Sequence, residues 1–107
     1  MYGYEKKAVT QIIHILKEKF AEKIVMVYAI GSRIRGDFQA WSDFDLLIIV
    51  KHKNPDIEKE IINTLVDEEI KYGLSFTPVI KDIKAFELEQ KFSTPFYENI
   101  MKEGVAL

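Results

Sequence analysis

A chain of 107 residues, 48% hydrophobic and 30% charged, is sized for one packed unit, expected to be a single domain over 1–107. A formal net charge of −2 at pH 7 supplies no basic whole-protein field, so direct nucleic-acid binding is not indicated. With no cysteine, disulfides and thiolate metal sites are excluded, and two histidines far apart in sequence disfavour a zinc enzyme. The opening residues MYGYEKKAVTQ lack the apolar segment of a signal peptide, and no apolar run approaches the ~18 residues of a membrane span. A cytoplasmic protein without a membrane segment is the expectation.

In chain order, residues 5–22 read as an amphipathic helix, with Val9, Ile12, Ile13, Leu16 and Phe20 on one stripe. Residues 24–30, IVMVYAI, are a β-branched apolar run too short for a typical helix and read as a buried strand. A short helical turn is expected over 32–36, a loop over 38–42, and a second buried strand over 44–50. Pro55 is placed to open a helix over 56–71, whose stripe comprises Ile57, Ile61, Ile62, Leu65, Val66 and Ile70. Residues 74–80, LSFTPVI, alternate Leu74 and Phe76 with Ser75 and Thr77, which predicts a third strand; Pro78 puts it at an edge or a bulge. Asp82 is a candidate cap for a helix over 83–91, and Ser93 or Thr94 for another from Pro95 to about Lys102, stopped by Gly104. Phe92, Phe96, Ile100 and Met101 are expected in the core. The fold class is α/β (α+β): a small mixed sheet of three or more strands with flanking helices. Periodicity leaves open whether the first two strands run antiparallel.

Between the first two strands lies Gly31–Asp45, GSRIRGDFQAWSDFD. Because side chains alternate along a strand, Asp43 and Asp45 share one face. Two carboxylates so close repel each other unless a cation lies between them. A hard cation such as Mg²⁺, or Mn²⁺ in its place, takes one or two carboxylates together with substrate phosphates. Gly31 permits close backbone approach to a phosphate, the Ser32 hydroxyl adds a hydrogen bond, and a following helical turn aims its positive end at the same place. Arg33 and Arg35 are further phosphate candidates. Residues two apart on a helix do not share a face, so one of them at most is expected to point inward.

The run GSRIRGDFQAWSDFDLLIIV resembles the G-S-x10-D-x-D signature of the DNA polymerase beta-like nucleotidyltransferase superfamily. Within it the chain resembles a minimal nucleotidyltransferase (MNT). The resemblance implies a transferase enzyme that moves a nucleoside monophosphate, with AMP from ATP expected, onto an acceptor hydroxyl. It implies that Gly31, Ser32 and Arg33 bind the nucleotide and that Asp43 and Asp45 are catalytic and hold Mg²⁺ (or Mn²⁺). Stand-alone MNT proteins pair with HEPN-domain proteins, often as the antitoxin that adenylylates a tyrosine of the HEPN toxin. The resemblance therefore implies a HEPN-domain partner in a toxin–antitoxin system; a homo-oligomer stays open.

The chain departs from the pattern at one point. Active members of the superfamily usually carry a third carboxylate on a later strand, whereas LSFTPVI holds no acid and offers Ser75 or Thr77 on its polar face. Asp82, Glu68, Glu69 and Asp37 do not match by spacing. A catalytically weakened module that binds nucleotide or a partner without efficient transfer is the alternative. His14 is expected on a solvated helix face, His52 at a polar strand end, and Trp41 in packing or an interface.

Overall fold

The computed structural model describes residues 3–30 and 44–107. Helix α1 (Gly3–Lys19) leads through a turn into β1 (Ile24–Ile30). Strand β2 (Phe44–Val50) is followed by α2 (Pro55–Tyr72), β3 (Phe76–Asp82), α3 (Ile83–Lys91), α4 (Pro95–Glu103) and a two-residue strand β4 (Val105–Ala106). The four strands form one sheet in the order β3-β2-β1-β4. The β1–β2 and β1–β4 pairs are antiparallel and β2–β3 is parallel, so the sheet is mixed.

Alternation along β2 explains the layering. Leu46, Ile48 and Val50 face one side with Val27, Ala29 and Ile80, where α1 and α2 bury Val9, Ile12, Leu16, Ile57, Ile61 and Leu65. Leu47 and Ile49 face the other side with Tyr28, under Phe86 of α3 and Ile100 of α4. Leu46 through Val50 are wholly buried because β2 is central and covered on both faces, which is why its sequence is a continuous apolar run and does not alternate.

The helix ends follow local chemistry. The Asn54 side chain accepts from the Ile57 N–H at 2.9 Å, Pro55 opens α2, and Gly73 closes it at φ 68°. The Gly73 and Leu74 amides both return to the Glu69 carbonyl, at 2.8 and 3.2 Å. Leu74 is thereby still bound to the helix end, and β3 starts at Phe76, two residues later than expected. Asp82 both ends β3 opposite Val50 and caps α3 through the Lys84 N–H at 2.9 Å. Of the two candidate caps for α4, Thr94 fills the role, accepting from the Tyr97 N–H; Ser93 sits at φ 46° in the turn before it.

Strands 24–30 and 44–50 and helix 83–91 match their expected bounds, and β3, with Pro78, is an edge strand. Other expectations need correction. Helix α1 ends at Lys19, not residue 22, because residues 20–23 turn back: the Lys23 and Ile24 amides both bond the Phe20 carbonyl. Ile62, Val66 and Ile70 of the α2 stripe are exposed, since the apolar arc of α2 is wider than the face that α1 and the sheet cover. In the last helix Ile100 is buried and Phe96 half-buried, while Met101 is exposed, as is Phe92 at the end of α3. Strand β4 was not expected; two residues carry no periodic signal.

Candidate active site at the sheet end

Of the residues singled out in the sequence, Asp45 is described, and Gly31, Ser32, Arg33 and Asp43 lie outside the described residues, as do Arg35, Asp37, Trp41 and the expected turn over 32–36. Asp45 is the second residue of β2, half-buried, flanked by Ile30 on β1 and Thr77 on β3 in register. By alternation it shares the face of Leu47 and Ile49, the side covered by α3 and α4. That cover is centred further along: Phe86 packs beside Tyr28 and Tyr97, with ring centroids 6.2 and 5.6 Å away. At the Asp45 end, Thr77 and Val79 are exposed. Asp45 is therefore held by paired strands on both sides, beyond the part of this face that Phe86 and Ile100 cover among the described residues.

The register settles which group faces Asp45 from the third strand. It is Thr77, a hydroxyl, where the family pattern expects an acid. Asp82 pairs with Val50 at the opposite end of the strands, and its oxygens accept from the Lys53 N–H at 3.0 Å and the Lys84 N–H at 2.9 Å. Those two backbone bonds hold its carboxyl below the usual carboxylate range against the opposing effect of desolvation, with smaller contributions from the charges of His52 and Lys84. Glu68 and Glu69 belong to α2, on the other side of the sheet, and Glu69 accepts from the Phe76 N–H at 3.1 Å. One further acid is brought to this end and this layer by topology. Glu103 closes α4 two residues before Val105, which pairs with Ala29 next to Ile30. A helix-terminal glutamate far along the chain carries no motif, so the sequence offered no signal for it. Among the described residues, no group of three or more His, Cys, Asp or Glu is placed to hold a metal ion.

The cation nearest in sequence on β3 is committed elsewhere. Lys81 ion-pairs with Glu89 and lies 4.5 Å from the Phe96 ring centroid, while Glu89 also accepts from the Thr94 hydroxyl at 3.1 Å. This network fastens β3 to α3 and α4. A hollow of about 420 Å³ lies past Val50, at the far end of β2 from Asp45. Its lining mixes Lys23, Lys51 and His52 with Glu22, Asp56 and Glu60, and Lys23 and Glu60 approach to 3.9 Å. The chemistry the sequence points to is at the other end. His14 faces solvent and meets Glu18 at 3.3 Å, an ordinary helix-surface pair.

A mixed sheet with Asp45 at the start of a central strand and helices on both faces is the arrangement of a nucleotidyltransferase. The family model for the nucleotidyltransferase domain matches residues 9–107, and the chain belongs to that family. A Methanocaldococcus jannaschii protein provisionally named a protein adenylyltransferase is 28% identical over 104 residues, covering 96% of this chain and 97% of its own. A second so named from the same organism is 30% identical over 103 residues, covering 89% and 97%. The spectinomycin 9-adenylyltransferase of Staphylococcus aureus is 36% identical over 50 residues, 47% of this chain and 19% of that larger enzyme. The chain is a transferase of nucleotides. No helix among the described residues is long and apolar enough to cross a membrane.

Proposed function

We propose that this nucleotidyltransferase moves AMP from ATP onto a hydroxyl of a protein acceptor. Asp43 and Asp45 hold Mg²⁺ (or Mn²⁺), and Gly31, Ser32 and Arg33 engage the triphosphate. The observation that carries the reading is the position of Asp45 at the start of the central strand, in a chain whose full-length relatives bear protein adenylyltransferase names. The acceptor consistent with the family resemblance is a tyrosine of a HEPN-domain partner, with this chain as the antitoxin.

The donors fit the cation. The Asp45 carboxylate oxygens are hard ligands, and Asp43 adds a second carboxylate two residues before Asp45. A bound divalent ion supplies charge neutralisation at the phosphates and orients attacking and leaving oxygens. The chain's own part is positioning. Strands β1 and β3 fix the Asp45 backbone from both sides, and Ile30 gives the site an apolar flank. In the transfer, the acceptor hydroxyl loses its proton, its oxygen bonds to the α-phosphorus, and pyrophosphate leaves with the electrons of the broken bond. Thr77 neither takes that proton at neutral pH nor adds negative charge, so it does not stand in for a third carboxylate. The same threonine favours a second reading, a module that binds nucleotide or partner with slow transfer.

Incubation with ATP, Mg²⁺ and the HEPN-domain protein, followed by intact-mass measurement, tests the proposal. An AMP adduct on the acceptor that disappears with Asp45→Asn is expected. An unmodified acceptor, with nucleotide bound in calorimetry, would establish the second reading instead.

A further inference from the structure

Helix α2 carries more apolar surface than the fold uses. Ile57, Ile61 and Leu65 are buried against α1 and the sheet. Ile62, Val66 and Ile70 form a second stripe at four-residue spacing, 43%, 43% and 78% exposed. On the same face, Lys59 precedes Ile62 by three residues and Glu69 follows Val66 by three, the alternating three-and-four spacing of a helix-pairing seam. Lys59 is exposed; Glu69 is half-buried and uses one oxygen for the Phe76 N–H.

We propose that this stripe is an interface between two copies of the chain, packed as an antiparallel pair of α2 helices about a two-fold axis level with Thr64. The sequence is self-complementary in that arrangement. Ile62 comes opposite Val66 of the second copy, and Lys59 comes opposite Glu69 of the second copy, each contact occurring twice by symmetry. A parallel pairing sets Lys59 against Lys59 and Glu69 against Glu69, which like-charge repulsion disfavours. Two apolar layers bracketed by two ion pairs therefore select a second copy, in one orientation. The seam from Lys59 to Glu69 is about 15 Å long at the helical rise. A seam of four side chains on each helix is small against the ~1,000 Å² of a stable interface, so the dimer is weak.

The chain has no cysteine, which gives a clean background for cross-linking. Ile62→Cys and Val66→Cys, both at exposed positions, are oxidised separately and as a mixture. The mixed sample is expected to form disulfide dimer several-fold faster than either alone, because position 62 faces position 66 across the axis. Lys59→Glu is expected to weaken self-association in sedimentation by about fivefold, a loss reduced at high salt. Asp45→Asn leaves the dimer unchanged, which separates this interface from the transfer reaction. Equal cross-linking in all three samples, or a monomer at millimolar concentration, overturns the proposal and leaves the stripe to a different protein.

Discussion

Asp45 and Thr77 are register partners on adjacent parallel strands, on the sheet face they share with Leu47 and Val79. One residue of slip in β3 would turn Thr77 to the opposite face and bring Phe76 or Pro78 beside Asp45. Register is fixed because Phe76 and Ile80 are buried in the core on the other side. The hydroxyl next to Asp45 is thus a consequence of core packing one residue before it, at Phe76, and three residues after it, at Ile80.

Thr77→Asp places a carboxylate beside Asp45 on an exposed edge strand that tolerates it. In radiolabelled-ATP assays the variant is expected to raise transfer at least tenfold at saturating Mg²⁺, below the roughly 10²–10⁴-fold of a well-positioned general base. Thr77→Val, similar in volume, is expected to change the rate by less than about threefold, since Thr77 supplies neither charge nor base. A large loss in the valine variant would assign the hydroxyl a direct catalytic part.

Transfer is expected to require the divalent ion and to be abolished by chelation with EDTA and restored by Mg²⁺ or Mn²⁺. Asp45→Asn should lower kcat by about 10² or more, with circular dichroism unchanged. Retained activity in that variant would remove Asp45 from the catalytic machinery.

Gly73→Ala is expected to destabilise the fold by about 1–2 kcal/mol in urea titration. The cost is conformational: φ is 68° at this position, and an added Cβ meets nothing within 4 Å. Gly104→Ala should be harmful for a different reason, because its Cβ would lie 2.6 Å from the Ile100 carbonyl oxygen. Thermal melts of the two variants separate strain from collision: replacing Gly73 by Asn, which tolerates left-handed backbone, should recover part of the loss.

Asp82 gives a pH dependence of known sign. Its folded carboxyl titrates below the ordinary range because the Lys53 and Lys84 amides bond the ionised form. Its stabilising contribution is therefore fully present above the unfolded value of about 3.9 and is lost as pH falls through the lower folded value. The wild-type melting temperature should fall more steeply than that of Asp82→Asn below about pH 4, and the two curves should run parallel above about pH 5. Parallel curves throughout would show that the two bonds do not favour ionisation.

Leu47→Ala removes a wholly buried side chain from the centre of the α3/α4 side and should cost about 2–5 kcal/mol. Ile70→Ala, at a site largely open to solvent, should change stability by less than about 0.5 kcal/mol.

Local chemistry made much of the architecture legible. An apolar run of seven residues marked β1 and one of five, over 46–50, marked β2, and Asp82, Thr94 and Gly73 marked helix ends, because a strand in the centre of a sheet and a helix cap both impose rules within a few residues. The four-part signature ending at Asp45 was legible for a related reason: its residue types and spacing lie within fifteen consecutive positions of the sequence. Long-range pairing decided the remainder. That Thr77 meets Asp45, that Glu69 lies across the sheet, that Val105 and Ala106 close the β1 edge, and that Ile62 and Val66 are left uncovered all depend on which surfaces tertiary packing consumes. A periodic pattern states that a helix has an apolar arc; the width of the partner it packs on determines how much of that arc remains for another chain.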